Sequence, residues 1–367
     1  MLLSRNIVIL IVILGSILIY LTSCSSTAAS SSPKNADLII IDNNSEGITT
    51  DASKNNHWVQ GTPNIIAAGT YDIYLNWPAN QKLESLPVEI KYKGGSKTLN
   101  INKELNTGTT WYKLGTFNLS AGKNNYVKLL TSQGDTVVDA VQFVPTDYAK
   151  SKYPKLALSD DFDGSTLDTT KWDYRHDTKL NSSQRAENVT VNNGILHIAQ
   201  KKEEFNGKHY TGGGVISKQK FKYGYYEARI KLPLSKGWHN SFWALPYNGS
   251  DTNTKGLQEI DGFEHDGPNN VIRTNIHEWN QHKDYQAREQ TLLNLNNWHT
   301  YAFEWTSSNE IRWFIDGVMV RRSQYDPSNS HGSSDQNLWI TTLLMGLPED
   351  NNLPSTLDVD YVHVYTS

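Results

Sequence analysis

The sequence predicts an all-β chain made of two domains. Short runs alternate between apolar and polar residues with period two: Tyr71, Ile73 and Leu75 with Asp72, Tyr74 and Asn76, then Val88, Ile90 and Tyr92 with Glu89, Lys91 and Lys93. Turn signals such as Gly94-Gly95 and Asn192-Asn193-Gly194 separate such runs, and residues 37–146 show no sustained helical period. At 367 residues the chain is long enough for two hydrophobic cores.

The N-terminus is read as an export signal. Arg5 precedes an apolar run from Ile7 to Tyr20, too short for a comfortable membrane span. The run ends in Leu21-Thr22-Ser23-Cys24, which resembles a bacterial lipobox. That resemblance implies a signal peptide over 1–23 and a lipid on the Cys24 thiol. The anchor would hold the protein to a membrane of the bacterial cell envelope. An ordinary secretion signal with an incidental cysteine is the alternative. Residues 24–36, with a Ser/Ala-rich stretch from Ser25 to Ser32, form the expected tether. Cys24 is the only cysteine, so no disulfide forms within the chain. The formal net charge of -4 is balanced along the sequence and points away from nucleic acid. The protein is expected to act as a monomer.

Residues 37–146 add strand patterns at Trp111–Leu119, Tyr126–Leu130 and Thr136–Val144, completing a β-sandwich. Trp58, Trp77 and Trp111 are candidate platforms for sugar rings, although core packing uses the same residues. Residues 147–156 carry four charged groups and Pro154 and are read as a linker. A chain starting near Lys155 is therefore expected to fold and work without the first domain.

The second domain, 157–367, opens with Asp160-Asp161-Phe162-Asp163-Gly164. Its chemistry is concentrated in Gln258-Glu259-Ile260-Asp261-Gly262-Phe263-Glu264-His265. In a regular strand Glu259 and Asp261 share a face and Glu264 points away. One extra residue in a bulge restores Glu264 to that face, and Gly262 is a plausible bulge residue. Glu259 and Glu264 would then stand roughly 13 Å apart at Cα, four steps along the strand. Arms of about 3–4 Å leaning together leave roughly 5–6 Å between carboxyls, near the separation of a retaining glycosidase. On that reading Glu259 is the nucleophile and Glu264 the general acid and base. Asp261 between them raises their proton affinity and shares a proton with one of them. Two other readings of the same spacing stay open, a Ca²⁺ site and a merely polar strand face.

The stretch Glu259-Ile260-Asp261-Gly262-Phe263-Glu264 resembles the active-site strand of glycoside hydrolase family 16. Further segments agree in order: Tyr223–Arg229, Ser241-Phe242-Trp243, Trp298–Trp305, Phe314-Ile315-Asp316-Gly317 and Asp358–Tyr365. The resemblance covers about residues 157–367. It implies a β-jelly-roll with a curved concave sheet and a retaining endo-acting glycosidase, or a transglycosylase, that needs no cofactor for catalysis. It also places Trp243 near the scissile subsite. Trp238, His277 and Asn188 are further candidates for substrate contact. The family often binds one structural calcium, for which the resemblance implies the Asp360 carboxylate and backbone carbonyls such as that of Gly194. Gly69-Thr70-Tyr71, Asn76-Trp77-Pro78, Trp111–Gly115 and Val137–Val141 resemble the carbohydrate-binding-like domain of golvesin and xanthan lyase proteins.

The chain also departs from family 16's laminarin-cleaving members. It has Trp238-His239-Asn240-Ser241-Phe242-Trp243 where they carry Trp-Pro-Ala-Phe-Trp, and Phe263 where they favour Met or Val. Ser-Phe-Trp and Val215–Gln219 look closer to agar-cleaving members. Arg185, Lys218, Arg273 and Lys283 are candidates for meeting sulfate esters. Tyr210–Ser217, with three consecutive glycines, is a strand that could let a polysaccharide approach the backbone. The expected substrate is thus a β-linked polysaccharide, either a red-algal galactan such as agar or porphyran, or a β-1,3- or mixed-linkage glucan. A glycan-binding lipoprotein without catalysis is the competing class. Three convergent acids argue against it, because binding alone does not need them.

Overall fold

The computed structural model describes residues 33, 36–42, 45–46, 48–51, 57–77, 85–102, 111–130, 138–247, 258–279, 283–291, 294–326 and 335–367. Cys24, the signal sequence and most of the tether lie outside these, as do the side chains of Trp58 and Lys283. Among the described residues the regular secondary structure is nearly all strand. The helical pieces are Tyr148–Lys152 and the short 3-10 turns Ala186–Asn188 and Asp350–Asn352.

The first domain is a sandwich. One sheet has four strands in the order Ile39–Asp42, Ala140–Pro145, Gly69–Asn76 and Trp111–Leu119. The other has five, in the order Ile48–Asp51, His57–Gly61, Tyr126–Leu129, Ser85–Tyr92 and Gly95–Asn102. The alternation seen in the sequence puts Ile73, Leu75, Val141 and Phe143 of the first sheet against Leu86, Val88, Ile90 and Val127 of the second. Trp77 is only 1% exposed and packs against Tyr112, with 5.5 Å between ring centroids. It is a core residue and not a sugar platform.

The second domain is a jelly-roll. Its concave sheet runs Trp172–Tyr174, Lys208–Ser217, Asn337–Leu344, Trp238–Leu245, Gln258–Asp266, Val271–Glu278 and Lys283–Thr291. A second sheet centres on the long strand Ser355–Thr366, flanked by Ile195–Phe205 and Gly224–Lys231, with Trp298–Trp305, Glu310–Ile315 and Val318–Gln324 beyond. One apolar cluster fills the space between: Phe242, Ala244, Ile260, Phe263 and Ile276 from the concave sheet meet Tyr226, Tyr301, Phe303, Trp313 and Val359 from the other.

The segment expected to be a linker is not one. Residues Tyr148–Lys152 form a helical turn, and Tyr148 and Tyr153 are buried at 6% exposure each. They join an apolar seam between the domains, with Tyr74 and Val144 on one side and Tyr225, Phe314, Val318, Met319 and Tyr365 on the other. Trp111 packs against this seam. Gln142 of the first domain donates to the Met319 carbonyl at 2.7 Å and accepts from the Met319 amide at 3.1 Å, as a neighbouring strand would. At the centre is Glu304, whose side chain is fully enclosed. Its carboxylate meets the hydroxyls of Tyr148 (2.9 Å) and Tyr153 (2.8 Å), the Lys152 ammonium (2.7 Å) and the Arg312 guanidinium (3.3 Å). A charge this deep is tolerable only when so surrounded. Three of its four partners come from residues 148–153. The second domain therefore does not stand apart from what precedes it.

Candidate active site

The concave sheet positions the three acids through one irregularity. Against Trp238–Leu245, Phe242 pairs with Phe263 and Trp243 with Asp261, so Gly262 is the extra residue of a bulge. The ladder to Val271–Glu278 shifts at the same place, between Asp261 and Glu264. The apolar side shows the same odd step, since Ile260 and Phe263, three apart, both enter the core. Glycine is required here by close approach. A Cβ at Gly262 would stand 2.7 Å from Phe242 Cδ1 and 2.9 Å from Phe303 Cδ1. The Trp313 indole donates to the Asp261 carbonyl at 2.7 Å and pins the bulge from beneath. Glu259, Asp261 and Glu264 consequently line one cleft of about 540 Å³.

Their neighbours set their proton affinities. The Trp279 indole donates to Glu259 Oε2 at 2.9 Å, and His277 Nε2 lies 3.2 Å from Asp261 Oδ2. Burial, then the adjacent Asp261, push the Glu259 carboxyl up to about 8, against the opposing pull of His277 and Trp279. Asp261 is raised too, by burial and by Glu264. Burial also raises Glu264, opposed by His239, Arg273 and His277. Crowded carboxylates in a poorly solvated cleft hold protons that isolated ones would release.

Trp243 stacks on Trp339 with centroids 4.7 Å apart, and its indole donates to Thr341 Oγ1 at 3.2 Å. It lines the cleft beside Glu259, as do His277 and Trp279, whose rings stack at 5.1 Å. His265 faces away from the cleft, fully buried, with Nε2 2.9 Å from the Asn269 carbonyl.

Residues 154–367, more than half the chain, match the family model described as "Beta-porphyranase A-D, GH16 domain". The chain belongs to glycoside hydrolase family 16. Residues 27–145 match the Golvesin C-terminal domain. A beta-glucanase of Rhodothermus marinus is 30% identical over 252 residues, covering 59% of this chain and 86% of that protein. The laminarinase structure from Flavobacterium sp. UMI-01 superposes with a TM-score of 0.52 at 26% identity, covering 58% of this chain and all of that one. A kappa-carrageenase of Pseudoalteromonas carrageenovora is 26% identical over 259 residues, 56% of this chain and 63% of that protein. Family 16 membership makes the chain a glycoside hydrolase.

Several expected positions of the family 16 domain fall elsewhere. Trp238 is 1% exposed, does not line the cleft, and sits edge-on to Tyr210. It lies five residues from Trp243, so strand parity puts the two on opposite faces. Asn188 is also buried and away from the cleft, donating to Thr211 Oγ1 at 2.9 Å and the Gly212 carbonyl at 2.8 Å. The glycines of Tyr210–Ser217 serve strand packing, since a Cβ at Gly212 would lie 2.3 Å from the Thr342 carbonyl oxygen. Asp360 is ion-paired with Arg229, and a guanidinium at that carboxylate does not fit a calcium ligand. The group of metal-type ligands found among the described residues is Glu259, Asp261 and His277, inside the cleft.

Of the basic candidates, Arg185 pairs with Glu203, Lys218 with Asp173 and Arg273 with Asp266, and none lines the cleft. The cations that do are Arg175, held by Asp177 through bonds of 2.7 and 2.8 Å, and the exposed Lys179. Sequence reasoning missed these two along with Trp339, Thr341, Trp279 and His239. His239 had a readable signal, because parity aligns it with Ser241 and Trp243. Arg175, Lys179 and Trp339 come from segments distant in sequence and carry no such mark.

Proposed function

We propose that the protein is a retaining endo-hydrolase of a β-linked polysaccharide, acting by double displacement. The observation that carries this is the bulge at Gly262, which turns Glu259, Asp261 and Glu264 toward one cleft. In the first step the Glu259 carboxylate bonds to the anomeric carbon while the glycosidic C–O bond breaks. Glu264 gives its proton to the leaving oxygen. In the second step Glu264 takes a proton from water, the hydroxide oxygen bonds to the anomeric carbon, and Glu259 leaves as carboxylate. With a proton on Asp261, Glu259 is ionised for attack. Trp243 offers an apolar surface to the sugar beside Glu259.

A red-algal galactan is the first candidate substrate. It is supported by the porphyranase description of the matching family model, by the carrageenase relative, and by Arg175 and Lys179 in the cleft, which suit sulfate esters. Likeness to the beta-glucanase and the laminarinase supports a second reading, β-1,3-glucan. Reducing-sugar release from porphyran, agarose and laminarin decides between them, and silence on all three overturns both substrate readings. Azide rescue tests the roles: Glu259→Ala should return inverted product, and Glu264→Ala retained product. The reverse stereochemistry would exchange the two assignments.

We also propose that the protein is lipid-anchored in the bacterial cell envelope through Cys24. Cys24→Ala should move it from the membrane fraction to the soluble fraction, and an unchanged distribution would remove the anchor.

A further inference from the structure

His239 stands in the cleft beside Glu264 with an arrangement that the two-carboxylate chemistry does not itself require. Its Nε2 is 3.8 Å from Glu264 Oε1, and its Nδ1 is 2.7 Å from Asp266 Oδ1. Asp266 is in turn ion-paired with Arg273. Despite partial burial, the hydrogen bonds from His239 and Arg273 hold the Asp266 carboxyl well below the usual carboxylate range. Asp266 is therefore an acceptor only, and the Nδ1 proton points at it. This fixes the ring and leaves Nε2 as the nitrogen facing Glu264.

Besides His239, Arg273 and His277 favour the Glu264 carboxylate and Glu259 opposes it. On the strand to one side His239 pairs with Asp266, two residues from Glu264, and Arg273 lies on the strand beyond. On the other side it pairs with Leu343, in a strand with no titratable residue. Ser241 follows on its own strand, and the remaining cations of the cleft are Arg175 and Lys179.

We infer that His239 is a positioning residue for Glu264, orienting its carboxyl and stabilising it when it becomes a carboxylate. The inference rests on the reading of Glu264 as acid and base. When Glu264 gives its proton to the glycosidic oxygen, a negative charge appears on a side chain only 18% exposed. Water cannot solvate it well, and the imidazolium form of His239, with Nδ1–H on Asp266 and a second proton on Nε2, can. In the second step the same N–H must release the carboxylate to take a proton from water, and the long 3.8 Å contact permits that. The Asp266–Arg273 pair keeps the imidazole aimed throughout, as outer partners orient histidines elsewhere.

The test uses His239→Gln, which keeps a neutral donor, and His239→Asn, which keeps the Asp266 contact but cannot reach Glu264. Without the imidazole the Glu264 carboxyl binds its proton more tightly. The basic limb of kcat/KM should then move up by about 0.5–1 pH unit. On whichever of porphyran and laminarin is cleaved, kcat should fall about tenfold or more with KM nearly unchanged, and more for Asn than for Gln. An activated aryl glycoside, which does not need protonation, should suffer less. Asp266→Asn, which frees the ring, should show the same leaving-group dependence, and it serves if the His239 variants fail to fold. An unmoved basic limb, or equal losses on both substrates, would overturn the inference. If Glu264→Ala cleaves polysaccharide normally, the acid and base reading itself falls. If Glu264→Ala is impaired as expected and the His239 variants keep the wild-type profile, only the role of His239 falls.

Discussion

The hydroxyl of Tyr153 donates to Glu304 Oε1 at 2.8 Å, joining the segment between the domains to the end of the catalytic-domain strand Trp298–Trp305. Glu304 is a fully enclosed carboxylate, and Tyr148, Lys152 and Tyr153 supply most of its compensation. The family 16 match begins at residue 154 and the golvesin match ends at 145, so these three residues lie in neither.

That arrangement makes the two domains one cooperative unit. Tyr153→Phe and Tyr148→Phe should each cost about 1–3 kcal/mol in urea unfolding, because each leaves a buried acceptor short of a donor. A chain starting at Lys155 should fail to fold. It would lose three partners of Glu304 and uncover Tyr225, Phe314, Met319 and Tyr365. Calorimetry of the intact protein should show a single transition, and two independent transitions would contradict the shared seam.

Gly262→Ala should damage both stability and turnover. Its Cβ would overlap Phe242 and Phe303, so the bulge must shift or the core must open, at about 1–3 kcal/mol. Moving the bulge rotates Glu264 relative to Glu259, so kcat should fall even at temperatures where the variant remains folded. A folded variant with full activity would show that the bulge does not set the register of the acids.

Two substitutions around Glu259 should move the acidic limb of kcat/KM in opposite directions. Trp279→Phe removes the indole donor that favours the Glu259 carboxylate. Glu259 then ionises at higher pH, and the limb moves up. Asp261→Asn removes the neighbouring charge that raises Glu259, so the limb moves down. Shifts of the same sign, measured against a single substrate, would rule out Glu259 as the group that must lose its proton.

The His299–Asp316 contact should give a pH-dependent contribution to stability. His299 Nδ1 lies 2.8 Å from Asp316 Oδ2, and although burial disfavours its charge, this partner raises its proton affinity overall. The contribution is complete below the unfolded histidine's value and is lost as pH rises through the folded one. His299→Gln should therefore cost more at pH 5.5 than at pH 8.5 in denaturant titrations. An equal cost at both would assign the residue to packing alone.

The all-β class, the strand faces and the odd spacing that calls for a bulge at Gly262 are legible in the order of residues alone. These are local properties: strand parity acts between neighbouring residues, and a glycine between three acids is visible without a fold. Strand parity also separates Trp238 from Trp243 and aligns His239 with Ser241. Whatever depends on distant segments meeting is set by the fold. Lys152 and Tyr153 looked like linker residues because a short charged stretch carries no sign of the buried Glu304, 151 residues beyond Tyr153, that it must neutralise. Asp360 looked like a free ligand because its partner Arg229 is 131 residues away. Trp339 reaches Trp243 only through the pairing of Asn337–Leu344 with Trp238–Leu245. Partners of buried charges and walls of clefts are chosen by long-range strand pairing, which leaves little local pattern in a single sequence.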